Sequence, residues 1–150
     1  MSNDASVTKD LLQTLEDGRA GYEKGAEKLD STDAPELAPT FRKYSEQRAA
    51  FTTELQSLAQ QYGDQLDADG SLAGTLHRGW LSLKDALAGS KPDGVIDAAE
   101  QGEDHAVSEY EKALDADISA GLRAVVARQY SEVQQTHDIV RDLRAAHATT

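Results

Sequence analysis

Residues 37–62 read LAPTFRKYSEQRAAFTTELQSLAQQY, and in them Leu37, Phe41, Tyr44, Arg48, Phe51, Leu55, Leu58 and Tyr62 follow one another at intervals of four and three. A strand buries every second residue, whereas this rhythm returns to one side of a helix every turn. The stretch therefore reads as a helix over about 35–62 with a single core-facing stripe. Arg48 is the one charged member of that stripe, which makes it the first residue whose presence requires an explanation.

The same test finds helices on both sides. Over about 7–29, Val7, Leu11, Leu15, Gly18, Tyr22, Ala26 and Leu29 share a face. Asp33 and Pro35 sit where a cap and a first-turn proline belong, and Pro39 blurs the start of the second helix. A shorter amphipathic helix over about 71–88 carries Leu72, Leu76, Trp80, Leu83 and Leu87. The stretch 92–116 places Ile96, Glu100, Glu103, Val107, Tyr110 and Leu114 on one line. The last, 118–147, offers two adjacent faces, one with Val125, Gln129, Glu132, Thr136, Ile139 and Leu143, the other with Val126, Tyr130, Val133, His137 and Val140. No run of period-two alternation is long enough for a strand, so the fold class is all-α.

Two tight connections, near 30–34 and 115–118, make their flanking helices antiparallel, while the long connection between 63 and 91 lets the second and fourth helices run parallel. That is a ferritin-like four-helix bundle with one long crossover connection containing a short helix, in a single domain spanning 1–150. With 27 acidic and 15 basic side chains the net charge is -12. Such a surface repels phosphate backbones and anionic lipids, so neither nucleic acid nor membrane is an expected partner. No stretch approaches the roughly 18 apolar residues of a spanning helix. Met1-Ser2-Asn3-Asp4-Ala5 lacks the basic flank and apolar run of a signal peptide, and a cytoplasmic location is the default expectation. With no cysteine, thiol catalysis and thiolate metal sites are excluded.

Function is sought where the stripes turn polar. At mid-height the inward positions are Gly18 and Tyr22, Arg48, Glu100 and Glu103, and Gln129 with Glu132. A charge on a core stripe needs a partner, so Arg48 should pair with Glu100, Glu103 or Glu132. One reading is a buried polar network of Tyr22, Arg48, Glu100, Glu103, Gln129 and Glu132 that fixes helix register. The other is a carboxylate metal site for iron or manganese, drawn from Glu23, Glu100, Glu103, Glu132 and His137. A di-iron site of the ferritin-like type uses Glu-x-x-His on two helices. Here His77, His105, His137 and His147 are preceded three positions earlier by Gly74, Gly102, Gln134 and Arg144. Glu-x-x-His is absent, and Arg48 puts a fixed cation on the same seam. The expectation is no cofactor and no catalytic residue. Trp80 is expected to anchor the crossover to the bundle, and Gly18, Gly21 and Gly25 leave room for long side chains, close helix approach or a small ligand.

The chain resembles a bacterial ferritin-like four-helix-bundle family of unknown function. Glu16-Asp17-Gly18 with Gly21-Tyr22, Gln47-Arg48-Ala49-Ala50-Phe51 with Glu54-Leu55, and Gly70-Ser71 with His77-Arg78-Gly79-Trp80 and Leu83-Lys84 carry the resemblance. So do Glu100-Gln101-Gly102-Glu103-Asp104, Tyr110, Ala113-Leu114, Gln129-Tyr130 and His137. What it implies is the bundle, and by analogy a stress-associated accessory or interaction protein. A homodimer and an unknown protein partner both fit that role.

Overall fold

The computed structural model of the chain describes residues 3–61, 80, 82–89 and 91–148. Among them the structure is all-helical: α1 Asp4–Leu29, a 3-10 turn Pro35–Leu37, α2 Ala38–Gln61, α3 Leu83–Ala88, α4 Pro92–Asp115 and α5 Ala120–Ala148. No described helix is long and apolar enough to cross a membrane.

Helix ends follow local chemistry. α1 begins at Asp4, earlier than the hydrophobic rhythm indicates, because its start is tied to the turn between α4 and α5. The Asn3 N–H donates to the Asp117 carbonyl at 2.7 Å, and the Asp4 carboxylate accepts the Ser119 N–H at 2.8 Å. Ser119 in turn accepts the Leu122 N–H on its hydroxyl and the Arg123 N–H on its carbonyl, which sets the start of α5 just after it. Pro35 opens the 3-10 turn, and α2 starts only at Ala38. Pro39 then lies in the first turn of α2, where a missing N–H leaves no helical bond unmade. Of the expected crossover helix 71–88, residues 71–79 and 81 lie outside the described residues, and α3 covers its last turn and a half.

α1 packs on α2 and α4, α4 packs on α5, α2 meets α5, and α3 lies against α4 and α1. Contacts give the directions. Phe41 early in α2 and Val95 early in α4 both abut Gly25 near the end of α1. Leu55 and Tyr110, late in the same two helices, share a cluster with Leu11 and with Leu122 at the start of α5. Hence α2 and α4 run one way, and α1 and α5 the other.

The core divides in two. One cluster holds Leu11, Leu15, Phe51, Leu55, Tyr110, Leu122, Val126 and Val133. The second holds Tyr22, Leu29, Phe41, Tyr44, Trp80, Leu83, Val95 and Val140. On α4 the buried line runs through Val95, Ala99, Gly102, Glu103, Ala106, Tyr110 and Ala113, so small residues bring α4 close to its neighbours. Glu100, Val107 and Leu114, expected on that line, are rotated to its edge. α5 buries Leu122, Val126, Gln129, Val133, Thr136 and Val140, a line between the two faces read from the sequence, and Ile139 is left 47% exposed.

Each α1 glycine lies against a different side chain. Gly18 faces Arg48, Gly25 faces Phe41 and Val95, and Gly21 faces Trp80. Trp80 is 2% exposed and is clamped between two helices. A Cβ on Gly21 would fall 2.4 Å from indole Cδ2, and one on Gly102 would fall 2.2 Å from Cε2. No real contact is that short, so the slot exists only because both positions are glycine. Tyr22 completes it edge-on, with ring centroids 4.9 Å apart at 72°.

These contacts order the effects of alanine substitution. G102A should destabilise by about 1–3 kcal/mol through overpacking against the rigid indole. G18A should stabilise by up to about 1 kcal/mol, since helix propensity gains and its Cβ meets the flexible Arg48 side chain; the nearest atom is at 3.4 Å, an ordinary contact. Urea denaturation of the two variants checks the opposite signs.

Candidate functional site

Arg48 and Glu103 meet between the two apolar clusters, on α2 and α4. The guanidinium Nη2 donates to Glu103 Oε1 at 2.7 Å, and the side chains are 1% and 0% exposed. Arg48 Nε donates to Gln47 Oε1 at 3.2 Å, and the Thr136 hydroxyl of α5 lies 3.4 Å from that same oxygen. Gly18 on α1 lies against the Arg48 stem, and the Tyr22 ring faces the guanidinium carbon at 5.7 Å. All four long helices thus contribute to the surroundings of one ion pair.

Electrostatics follow from this burial. Removal from water works to lower the Arg48 pKa, but the charge of Glu103 and the Tyr22 phenol outweigh it, and the pKa is raised. Burial pushes the Tyr22 phenol well up, and the Glu103 carboxylate adds to the rise while Arg48 opposes it. Tyr22 therefore stays a neutral phenol. Its hydroxyl and the second carboxylate oxygen, Glu103 Oε2, are both buried, and hydrogen bonding of the phenol to that carboxylate adds to the rise.

A second polar chain leads from the core to the surface. The Tyr110 hydroxyl donates to Gln129 Oε1 at 2.7 Å, and Gln129 Nε2 donates to Glu54 Oε1 at 2.8 Å. Glu54 then pairs with Arg128. A third contact joins α4 to α5 at the rim, where His137 Nε2 lies 2.7 Å from Asp104 Oδ1 and Nδ1 lies 3.4 Å from Asp138. Burial alone lowers the His137 pKa, but its bonds to Asp104 and Asp138 prevail and raise it above 6.5.

Of the six residues expected in one network, the structure brings Tyr22, Arg48 and Glu103 together. Gln129 is buried but belongs to the Tyr110 and Glu54 chain. Glu100 and Glu132 are corrections. Glu100 sits at the rim, 3.3 Å from Arg144, and Glu132 lies 3.2 Å from Arg128, because the helices turn those positions outward where surface arginines supply their counter-charge. Of the alternative metal ligands, Glu23 is exposed and pairs with Arg19 at 2.6 Å, and His137 is held by Asp104. Only Glu103 of the five reaches the interior, and a guanidinium already occupies its Oε1. These residues do not fit an iron or manganese centre, which needs several converging oxygen or imidazole ligands. Among the described residues no group of three or more His, Cys, Asp or Glu could hold a metal ion.

Gln47, Glu54 and Gly102 stand among the residues that carry the family resemblance, but their spacing assigned them no structural role. Gly102 carried a usable signal: a glycine mid-helix costs about 1 kcal/mol against alanine, so its place on the buried side of α4 calls for a bulky neighbour. Glu54 carried none, since its role depends on which face α5 presents to α2.

Residues 5–116 match the model of a domain of unknown function, DUF2383, and the chain belongs to that family. The matched span includes Tyr22, Arg48, Trp80, Gly102 and Glu103, while α5 with Gln129 and His137 lies beyond it. No curated protein matches the chain.

R48A should destabilise by about 3–5 kcal/mol, because it leaves Glu103 as an unpaired buried charge; chemical denaturation followed by circular dichroism measures it. For His137 the folded pKa is raised, so its stabilising contribution is complete below about pH 6.5, the unfolded value. That contribution fades as pH rises through the folded value. The stability gap between wild type and H137Q should therefore be larger at pH 5.5 than at pH 9, as paired denaturation curves will report.

Proposed function

We propose that the protein is a ferritin-like four-helix bundle that works without metal chemistry, as an accessory protein acting by association. One observation carries this reading: a guanidinium bonded to Glu103 stands at mid-height of the helices, where bundles of that type gather carboxylates around metal. A fixed cation there competes with any divalent ion for the Glu103 carboxylate. The helix directions, with α2 and α4 parallel and a long connection between them, support the ferritin-like comparison. Of the other acidic residues near that height, Glu100 is tied to Arg144, Glu132 to Arg128 and Asp104 to His137. A net charge of -12 favours a partner with a basic surface over nucleic acid or anionic lipid, and suits a cytoplasmic protein.

The test is elemental analysis of protein expressed in medium supplemented with iron and manganese and purified without chelator. Much less than one metal ion per chain, with no oxidation of added Fe(II) beyond the buffer rate, is the expected result. About two ions per chain, lost in E103Q, would overturn the proposal.

A further inference from the structure

Along the outer seam of α4 and α5, Asp97, Asp104 and Glu111 stand seven residues apart on α4, and each meets a donor on α5. The donors, Arg144, His137 and Tyr130, are also seven apart. Arg144 Nε donates to Asp97 Oδ1 at 2.6 Å, His137 Nε2 lies 2.7 Å from Asp104 Oδ1, and the Tyr130 hydroxyl donates to Glu111 Oε2 at 2.8 Å. Seven residues are close to two helical turns, so the three contacts form rungs in line between antiparallel helices. Arg123 continues the line past the end of α4, donating to the Ala116 carbonyl at 2.9 Å. The donors differ in their chemistry. Arg144 keeps its charge at any working pH, and Tyr130 is a neutral phenol whose bond to Glu111 holds its proton more firmly. Of the three, His137 is the one whose charge changes near neutral pH.

We propose that the middle rung is a pH-sensitive latch on the C-terminal part of α5, closed while His137 is an imidazolium and loosened when it loses its proton. The ring geometry carries this. Nε2 faces a carboxylate oxygen of Asp104, and Nδ1 faces Asp138 Oδ1 at 3.4 Å. Carboxylate oxygens only accept, so both contacts are attractive when both ring nitrogens carry a proton. A neutral imidazole has a single N–H, and its other nitrogen then presents a lone pair to a carboxylate. Among the described residues, the charges that act on the ring are Asp104 and Glu103 from α4 and Asp138 from α5. Arg48 balances Glu103, and Arg141 lies 3.4 Å from Asp138 Oδ1, which leaves Asp104 as the direct counter-charge across the seam. Their sum favours the protonated ring, in the direction of the raised pKa. Asp104 and Asp138 are largely exposed, so the rung is a modest contact and its loss loosens α5 locally without unfolding the bundle. Beyond the latch, α5 is held by Arg144 with Asp97 and Glu100 and by Val140 in the second apolar cluster. The proposal does not depend on the accessory-protein reading above.

Amide hydrogen exchange of the full-length protein at pH 5.5 and pH 9, expressed as protection factors so that the intrinsic pH dependence of exchange cancels, tests the latch. Protection over residues 138–146 should fall by about 3-fold at the higher pH, the size expected for losing one partly exposed ion pair. Protection over residues 11–26 of α1 should change much less. H137Q, which cannot titrate at this position, should show no such fall in 138–146, and this separates His137 from the other three histidines of the chain. D104N leaves the ring but removes its counter-charge across the seam, and should shrink the fall. Unchanged wild-type protection over 138–146, a fall of equal size in α1, or the same fall in H137Q or D104N as in wild type would overturn the proposal.

Discussion

A charged pair with almost no solvent contact constrains everything around it. Arg48 and Glu103 can remain ionised in the core only if they stay together, and they lie on α2 and α4, which are far apart in the chain. Sliding either helix by one turn, about 5.4 Å, would separate them and expose the core to two uncompensated charges. The pair therefore sets the relative height of α2 and α4. Apolar packing above and below it is less discriminating, because leucine and valine stripes tolerate a shift by one turn far better than an ion pair does.

Small residues supply the room that this arrangement needs. Gly21 and Gly102 admit Trp80, which packs between α1 and α4. These two mid-helix glycines cost about 2 kcal/mol in helix propensity at about 1 kcal/mol each. That cost is offset by burying the indole, which contributes on the order of a few kcal/mol for a side chain of that area. Strain in the local helical preference is thus exchanged for a close-packed tertiary contact, and Tyr22 is where the ion pair and the tryptophan slot touch.

Much of this could be read from residue spacing, and the failures have a common cause. Arg48 stood out because it interrupts a stripe of leucine and aromatic residues, and Glu103 was among its three candidate partners. Glu100 and Glu132 share that spacing but not the burial, since a helix face is about 100° wide and spacing alone does not fix its centre. On α4 the alanines and Gly102 draw the helix inward and turn Glu100 to the rim, where it meets Arg144. On α5, two adjacent faces were legible but the buried line between them was not, because it depends on how α5 lies against α2 and α4. Trp80 was legible as an anchor from its register with Leu83 and Leu87. Its slot was not, because Gly21 and Gly102 lie far apart in sequence and nothing in either helix alone names the other.

The claim that the ion pair fixes the fold is tested most directly by a double-mutant cycle on R48M, E103L and the R48M/E103L variant, with each stability taken from urea denaturation. If the pair acts as a unit, each single replacement leaves one buried charge and is costly, and the double variant regains most of the loss. Losses that simply add in the double variant would show that Arg48 and Glu103 are not energetically coupled, and would contradict the account.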